Sequence, residues 1–236
     1  MKTLIINFLN FLDMHIQNKN LRILRKYLKL EINIYIDIGA HKGEMIEIIK
    51  KNFNVRKTFA FEPNIECFQH LDKFKDKNTK IFNYAVSDKV GMDYLKIGHI
   101  SAMSTLNEIN ENAIYTHIKK LIINIFFLKK NIYKKKIIIK KIKLKNILVK
   151  YKLKILDLVK IDTEGHEYSV LIGMEQYLNR TKVLLLECHY DKSLIKNYDF
   201  KKIDNFLKKK RFKLVSKNQM LFRKGYELIY INKKYH

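Results

Sequence analysis

The sequence predicts a doubly wound α/β domain with a mostly parallel sheet, and three observations carry that prediction. Short apolar runs such as "NIYIDIG" and "ILDLVKID" alternate with runs whose apolar residues recur at helical spacing. The connections between them are short. No internal repeat and no Pro/Gly/Ser-rich linker divides the 236 residues, of which 47% are apolar, so one domain with a sizeable core is expected.

The elements follow in order. "MKTLIINFLNFLDMHIQ" places Leu4 or Ile5, Phe8, Leu12 and Ile16 on one helical stripe, and "LRILRKYLKL" continues it with a basic face. Residues 1–30 therefore read as an N-terminal amphipathic extension, with residues 31–236 as the main domain. "NIYIDIG" is a buried strand, "EMIEIIKKNF" a helix with Met45, Ile48 and Ile49 inward, and "KTFAFE" a second strand. "PNIECFQHLDKF" is a helix opened by Pro63, the only proline. "KIFNYAVSD" is the third strand, and "MDYLKI" with "SAMSTLNE" forms a short excursion. "ILDLVKID" is the fourth strand, "EYSVLIGMEQYL" a helix, "KVLLLECH" the fifth strand and "DFKKIDNFLKKK" a helix. The strands "FKLVSK" and "YELIYINK" close the chain.

Net charge is +25, and much of it is local: residues 113–154 hold 14 lysines and no acid. Such a block suits phosphate-bearing or anionic partners, or it solvates the surface of a lysine-rich chain. Lying between the third and fourth strands, it is expected to be an acceptor-side insertion. Cys67 and Cys188 are too few and too far apart for a disulfide framework or a zinc cluster, which favours a reducing, cytoplasmic setting. A run of about 20 apolar residues is absent, so no transmembrane helix is expected; the basic N-terminal helix can still lie on a membrane surface.

The first strand ends in D-x-G-x-x-x-G: Asp37, Gly39, Gly43. A dinucleotide fingerprint would have the tighter G-x-G-x-x-G, so this loop is a poor pyrophosphate cradle. A carboxylate beside it suits an amino-bearing ligand better. Glu62 ends the second strand, where a carboxylate accepts both hydroxyls of a ribose. Ser87 and Asp88 end the third strand, where they can meet an adenine edge or form a turn.

Taken together, "YIDIGAHKGE", "FEPN", "NYAVSD" and above all "LVKIDTEGHEYSVLIGM" resemble the FkbM family of S-adenosylmethionine-dependent methyltransferases. The resemblance implies a seven-stranded Rossmann-like sheet of the class I type, S-adenosylmethionine as cofactor, and a hydroxyl acceptor on a sugar or natural product. By position it assigns Asp37, Gly39 and Gly43 to the methionine part of the cofactor, Glu62 to the ribose and Asp88 to the adenine, with Ala40, His41 and Ser87 also around the cofactor. The chain departs from the family at "KLKNIL", ahead of the fourth strand, which reads as a surface or capping change.

Methyl transfer to an alcohol needs an aligned oxygen and a group that draws off its proton. Asp162, Glu164 and His189 leave the fourth and fifth strands on the ligand side and are the catalytic candidates. Asp162, Glu187 and His189 are also metal donors, but strand alternation is taken to turn Glu187 away from its neighbours, so no metal is expected. Base N-methylation calls for an Asn/Asp-Pro-Pro-aromatic loop, which a chain with one proline lacks, and neither cysteine suits cytosine C5 chemistry. RNA ribose 2'-O-methylation survives this test but is disfavoured. The expected partner is a hydroxyl-bearing glycan, sugar or glycolipid, with contact to a membrane surface through the basic segments. A non-catalytic cofactor-binding scaffold at such a surface is the third alternative.

Overall fold

The computed structural model describes residues 2–220 and 224–236, with side chains from residue 15 onward. The chain begins with a long helix, α1 (Lys2–Leu28), and then alternates: β1 (Glu31–Ile38), α2 (Glu44–Asn52), β2 (Asn54–Phe61), α3 (Ile65–Phe68) and β3 (Thr79–Phe82). An excursion follows, built of β4 (Ala85–Val86), β5 (Gly91–Gly98), α4 (Ile114–Phe127) and β6 (Tyr133–Ile142). The alternation resumes with α5 (Leu144–Lys150), β7 (Leu156–Ile161), α6 (Glu167–Gly173), β8 (Thr181–His189) and α7 (Phe200–Lys209). It ends in β9 (Phe212–Gln219) and β10 (Gly225–Asn232). The apolar stripe expected at Leu4 or Ile5, Phe8 and Leu12 falls on side chains outside the described residues.

The main sheet has seven strands in the order β3-β2-β1-β7-β8-β10-β9. All neighbouring pairs are parallel except those made by β10, which runs antiparallel to both β8 and β9. The order reverses between β1 and β7, so the carboxyl ends of these two strands flank the crevice where ligands of doubly wound sheets bind. Helices cover both faces, which explains the continuous apolar runs of the central strands. Strand alternation divides the core. Tyr35, Ala60, Leu158 and Leu185 pack under α1 and α2, with Leu24, Ile46 and Ile49. Ile36, Phe61, Val159 and Ile161 pack on the other face against α5, α6 and α7, with Leu148, Val170 and Ile203. All six residues of β7 are buried, as a strand covered on both faces requires.

Four expectations are corrected here. "KIFNYAVSD" is not one strand: β3 stays in the main sheet, while β4 joins a second, three-stranded sheet of order β4-β6-β5. The excursion and part of the lysine-rich segment are thus one structure, since β5 pairs antiparallel with β6 from Gly91 opposite Lys141 to Gly98 opposite Tyr133. The helix expected over "PNIECFQHLDKF" is α only at Ile65–Phe68 and continues as 3₁₀ turns over Gln69–Phe74. "KLKNIL" is no surface change, because α5 buries Leu144 and Leu148 completely against the core. No helix among the described residues is long and apolar enough to cross a membrane.

Candidate active site

The loop after β1 is clasped to its neighbours by backbone. The amides of Gly39 and Ala40 both donate to the Phe61 carbonyl, at 2.9 and 3.0 Å. Gly39 has φ +77°, and a Cβ there would lie 1.8 Å from the Asp162 carbonyl oxygen. Gly43, at φ +90°, lies against the Phe74 ring, 2.1 Å from where its Cβ would be. Both glycines are therefore demanded by close packing of loop on loop and loop on ring. Glu62 completes the clasp: its two carboxylate oxygens accept the amides of His41 at 2.9 Å and Asn64 at 2.8 Å. Burial pushes the Glu62 carboxyl up to about 7, although those two amides favour its charged form.

Beneath the loop lies a buried ionic group. The Lys160 ammonium sits 3.1 Å from Asp162, 3.5 Å from Asp37 and 3.1 Å from the Gly39 carbonyl, to which it donates. Burial disfavours its charge, but Asp162 and Asp37 outweigh that and hold it protonated. Asp37 is fully buried, and its other oxygen accepts the Tyr35 hydroxyl at 2.9 Å. Its carboxyl is pushed up by burial, against the pull of Lys160.

The turn after β7 carries Glu164 into the site at φ +49°. Buried Glu167 fixes that turn, one oxygen accepting the Thr163 amide at 3.1 Å and the Gly165 amide at 2.9 Å, the other accepting the Tyr198 hydroxyl. From the three-stranded sheet's side the Thr105 hydroxyl donates to the Glu164 carbonyl at 2.6 Å. Opposite, at the end of β8, the His189 Nε2 stands 3.3 Å from Glu164 and 3.1 Å from Glu187. The expectation that Glu187 faces away is wrong, because residues two apart on a strand project from the same side and so bring Glu187 beside His189. Burial disfavours charge on the imidazole, yet Glu164 and Glu187 outweigh it and hold His189 well above the ordinary histidine range. Burial and the nearby Asp162 push Glu187 up. A protonated imidazole is a hydrogen-bond donor, which weakens the reading of His189 as a base.

Glu62, Lys160, Asp162, Glu164, Glu187 and His189 line a cavity of about 1130 Å³ that opens at the carboxyl ends of β1, β2, β7 and β8. Its other wall is α4, which contributes Tyr115, Ile118, Ile122, Ile123 and Phe126. The sequence matches the family described as methyltransferase FkbM domain over residues 37–214.

The chain belongs to the FkbM methyltransferase family. Its fold agrees: a crystal structure of an FkbM methyltransferase from Methylobacillus flagellatus KT covers 85% of this chain at 13% identity with a TM-score of 0.53. The match takes in 43% of that chain, so this protein spans less than half its length. A magnesium protoporphyrin IX methyltransferase from Synechocystis PCC 6803, solved with bound S-adenosylmethionine, matches 95% of this chain and 85% of its own. The identity there is 8% and the TM-score 0.48. No curated protein matches the sequence.

S-adenosylmethionine is the cofactor of this family, and the donor set fits it: a carboxylate on the cavity wall at the end of β2 has the position and acceptor capacity for ribose hydroxyls. Of the residues expected around the cofactor, Gly39, Ala40, His41 and Glu62 line the FkbM cavity. Asp37 and Gly43 do not; Asp37 lies behind the wall as the partner of Tyr35 and Lys160. Ser87 and Asp88 are also behind it, the Ser87 hydroxyl bonded to His166 at 2.9 Å and to Asp88 at 3.0 Å. On the side expected for adenine the wall is made by Tyr84, Ala85 and Val86 instead. Asp162, Glu164 and His189 all line the cavity and share its floor. Lys160 was visible only as part of a motif, yet it is the cation that ties both loops together.

Proposed function

We propose that this FkbM-family protein transfers a methyl group from S-adenosylmethionine to a hydroxyl of a sugar, surface glycan or glycolipid. The observation that carries the reading is the joint presence, on one cavity, of Glu62 at the ribose position and of Asp162, Glu164 and His189 on the floor. The volume of about 1130 Å³ exceeds the usual range for one small ligand, about 300–1,000 Å³, which supports room for donor and acceptor together.

When bound, the cofactor supplies an electrophilic methyl on a sulfonium. The chain's residues do the rest. Glu62 and the loop of Gly39 to His41 hold the nucleoside end, and the Lys160 ammonium stands 3.1 Å from the Asp162 carboxylate at the floor. Glu164 and His189 would orient the acceptor oxygen, and Asp162 would take its proton when the bound cofactor supplies the methyl.

The acceptor side supports an amphiphilic substrate at an anionic surface. On α4 the side chains of Ile114, Leu121 and Ile125 are 81%, 59% and 61% exposed, and Leu128 just beyond is 84% exposed. Lys119, Lys129 and Lys130 accompany them, while Lys120 is paired with Glu111. An apolar helix face with lysines beside it fits a bilayer containing anionic lipid, into which the apolar side chains insert. A methyl-transfer screen with labelled donor against sugars, glycans, glycolipids and RNA tests the proposal. Label in a carbohydrate hydroxyl is the expected result; label in RNA alone overturns it.

A further inference from the structure

Three side chains on the cavity floor do more than line it. Glu187 and His189 project from one side of β8, and Glu164 meets them from the turn after β7. Their nearest ligating atoms all lie within 4.8 Å of one another. The two edges that run from the His189 Nε2, 3.3 Å to Glu164 and 3.1 Å to Glu187, match donors about 2.0–2.2 Å from one divalent cation. The side chains are 16%, 7% and 5% exposed for Glu164, Glu187 and His189, so all three present donors in a water-poor setting. The Glu187 Oε1 atom is buried and no hydrogen bond reaches it among the described residues; its polar neighbour is the His189 Nε2 at 3.1 Å. On the opposite side of the ring, the His189 Nδ1 faces the Asp191 carboxylate at 3.7 Å.

We propose that Glu164, Glu187 and His189 bind a divalent cation, which displaces the His189 Nε2 proton to solvent and leaves its remaining coordination positions open to the cavity. Two carboxylates and one imidazole suit a hard or borderline ion such as Mg²⁺ or Mn²⁺. The donors are held on rigid supports: two on one strand, and the third in a turn fixed by Glu167 and Thr105. The cation's use rests on the acceptor reading above. It takes up the acceptor oxygen, polarises its O–H bond, and leaves the proton to Asp162. The substrate class then narrows to acceptors that present an oxygen able to enter a metal's coordination sphere, as a sugar hydroxyl with a neighbouring oxygen does.

The probe is Mn²⁺ alone, followed by electron paramagnetic resonance on the full chain after chelation and without donor or acceptor. One Mn²⁺ per chain with micromolar affinity is expected, and Glu187→Gln, Glu164→Gln and His189→Ala should each weaken it about tenfold or more. Thermal unfolding checks that each variant is folded; Glu164→Gln, in a turn rather than on the central sheet, keeps the test open should the strand variants unfold. Calorimetry with S-adenosylmethionine runs in parallel. A wild-type protein that binds the donor but holds Mn²⁺ only at millimolar levels, or as tightly in folded variants, overturns the cation site and leaves the methyltransferase reading standing. A protein that binds Mn²⁺ at this site but not the donor keeps the site and overturns its proposed use.

Discussion

Glu62 carries the sharpest consequence at the scale of single residues. Its carboxyl titrates near pH 7 in the fold because it is buried, against 4.5 for the free side chain. Ribose hydroxyls donate to the ionised form, so donor affinity should fall about tenfold per pH unit below 7 and level off above it. The sign for stability runs the other way. Between pH 4.5 and 7 the folded carboxyl holds more proton than the unfolded one, so without ligand this residue's contribution to stability declines as pH rises through that window. Calorimetry across pH 5.5 to 8 checks the binding half, and Glu62→Gln should flatten the profile while weakening the donor throughout. An unchanged profile in that variant would remove Glu62 from the cofactor site. Asp162 makes a different prediction. Asp162→Asn preserves shape, and the Lys160 ammonium keeps Asp37 and the Gly39 carbonyl as partners, so the protein should stay folded. Turnover should drop by about 10²-fold or more with donor affinity nearly unchanged, the pattern of a group that acts only as the proton leaves. Near-normal turnover in the folded variant would assign the proton to another residue.

Among the elements, α4 is the one whose surroundings predict behaviour. One side closes the cavity, and Leu121 and Ile125 on another point away from it, 59% and 61% exposed. Burying a side chain of this size contributes about 1.5–3 kcal/mol, so Leu121→Ser with Ile125→Ser should lower binding to vesicles containing anionic lipid by tenfold or more. Turnover on a short, soluble acceptor should not change. A concentration-dependent dimer that these substitutions abolish, with no vesicle binding in the parent, would make the occupant a second copy instead. The elements also explain what could be read in advance. The "ILDLVKID" run was legible because a strand covered on both faces must be apolar throughout, and β7 is buried at all six positions. The break in "KIFNYAVSD" was not, since β3 and β4 are both short and the chain changes sheets between them without a proline or glycine to mark it. The strand β6 was hidden among lysines because most of its lysines are exposed and read as a solvated run; its partner β5 supplies the register that sequence alone does not. The Glu187 side was misread, because alternation was applied without counting the even spacing that puts it on the same side as His189. The loop glycines were read as a seat for the cofactor, whereas the contacts that demand them are with Asp162 and Phe74, which lie far away in sequence.

For the whole molecule, the charge of +25 is not spread evenly in purpose. Several lysines of the 113–154 block are tied to acids of neighbouring elements: Lys134 and Lys135 to Glu66, Lys141 to Asp93, and Lys143 and Lys145 to Glu175. Exposed pairs of this kind contribute little to stability, but they do set those lysines against the protein's own carboxylates. The fold divides the others by position. Lys129 and Lys130 follow α4 beside the cavity, whereas Lys150, Lys152 and Lys154 precede β7 at the amino edge of the sheet, opposite the site. If charge serves to hold an anionic surface at the acceptor side, the two groups should differ. Each lysine near such a surface is worth about 1 kcal/mol, so replacing Lys129 and Lys130 by Gln should weaken vesicle binding by tenfold or more. The acceptor KM should rise with it and donor affinity should stay the same. Salt should imitate the change, because the screening length shrinks to about 3 Å at 1 M. Replacing Lys150, Lys152 and Lys154 removes more charge from the wrong edge and should do neither. Equal losses from both sets would mean that net charge alone draws the protein to the surface, and no loss from either would make the lysines a solvating coat.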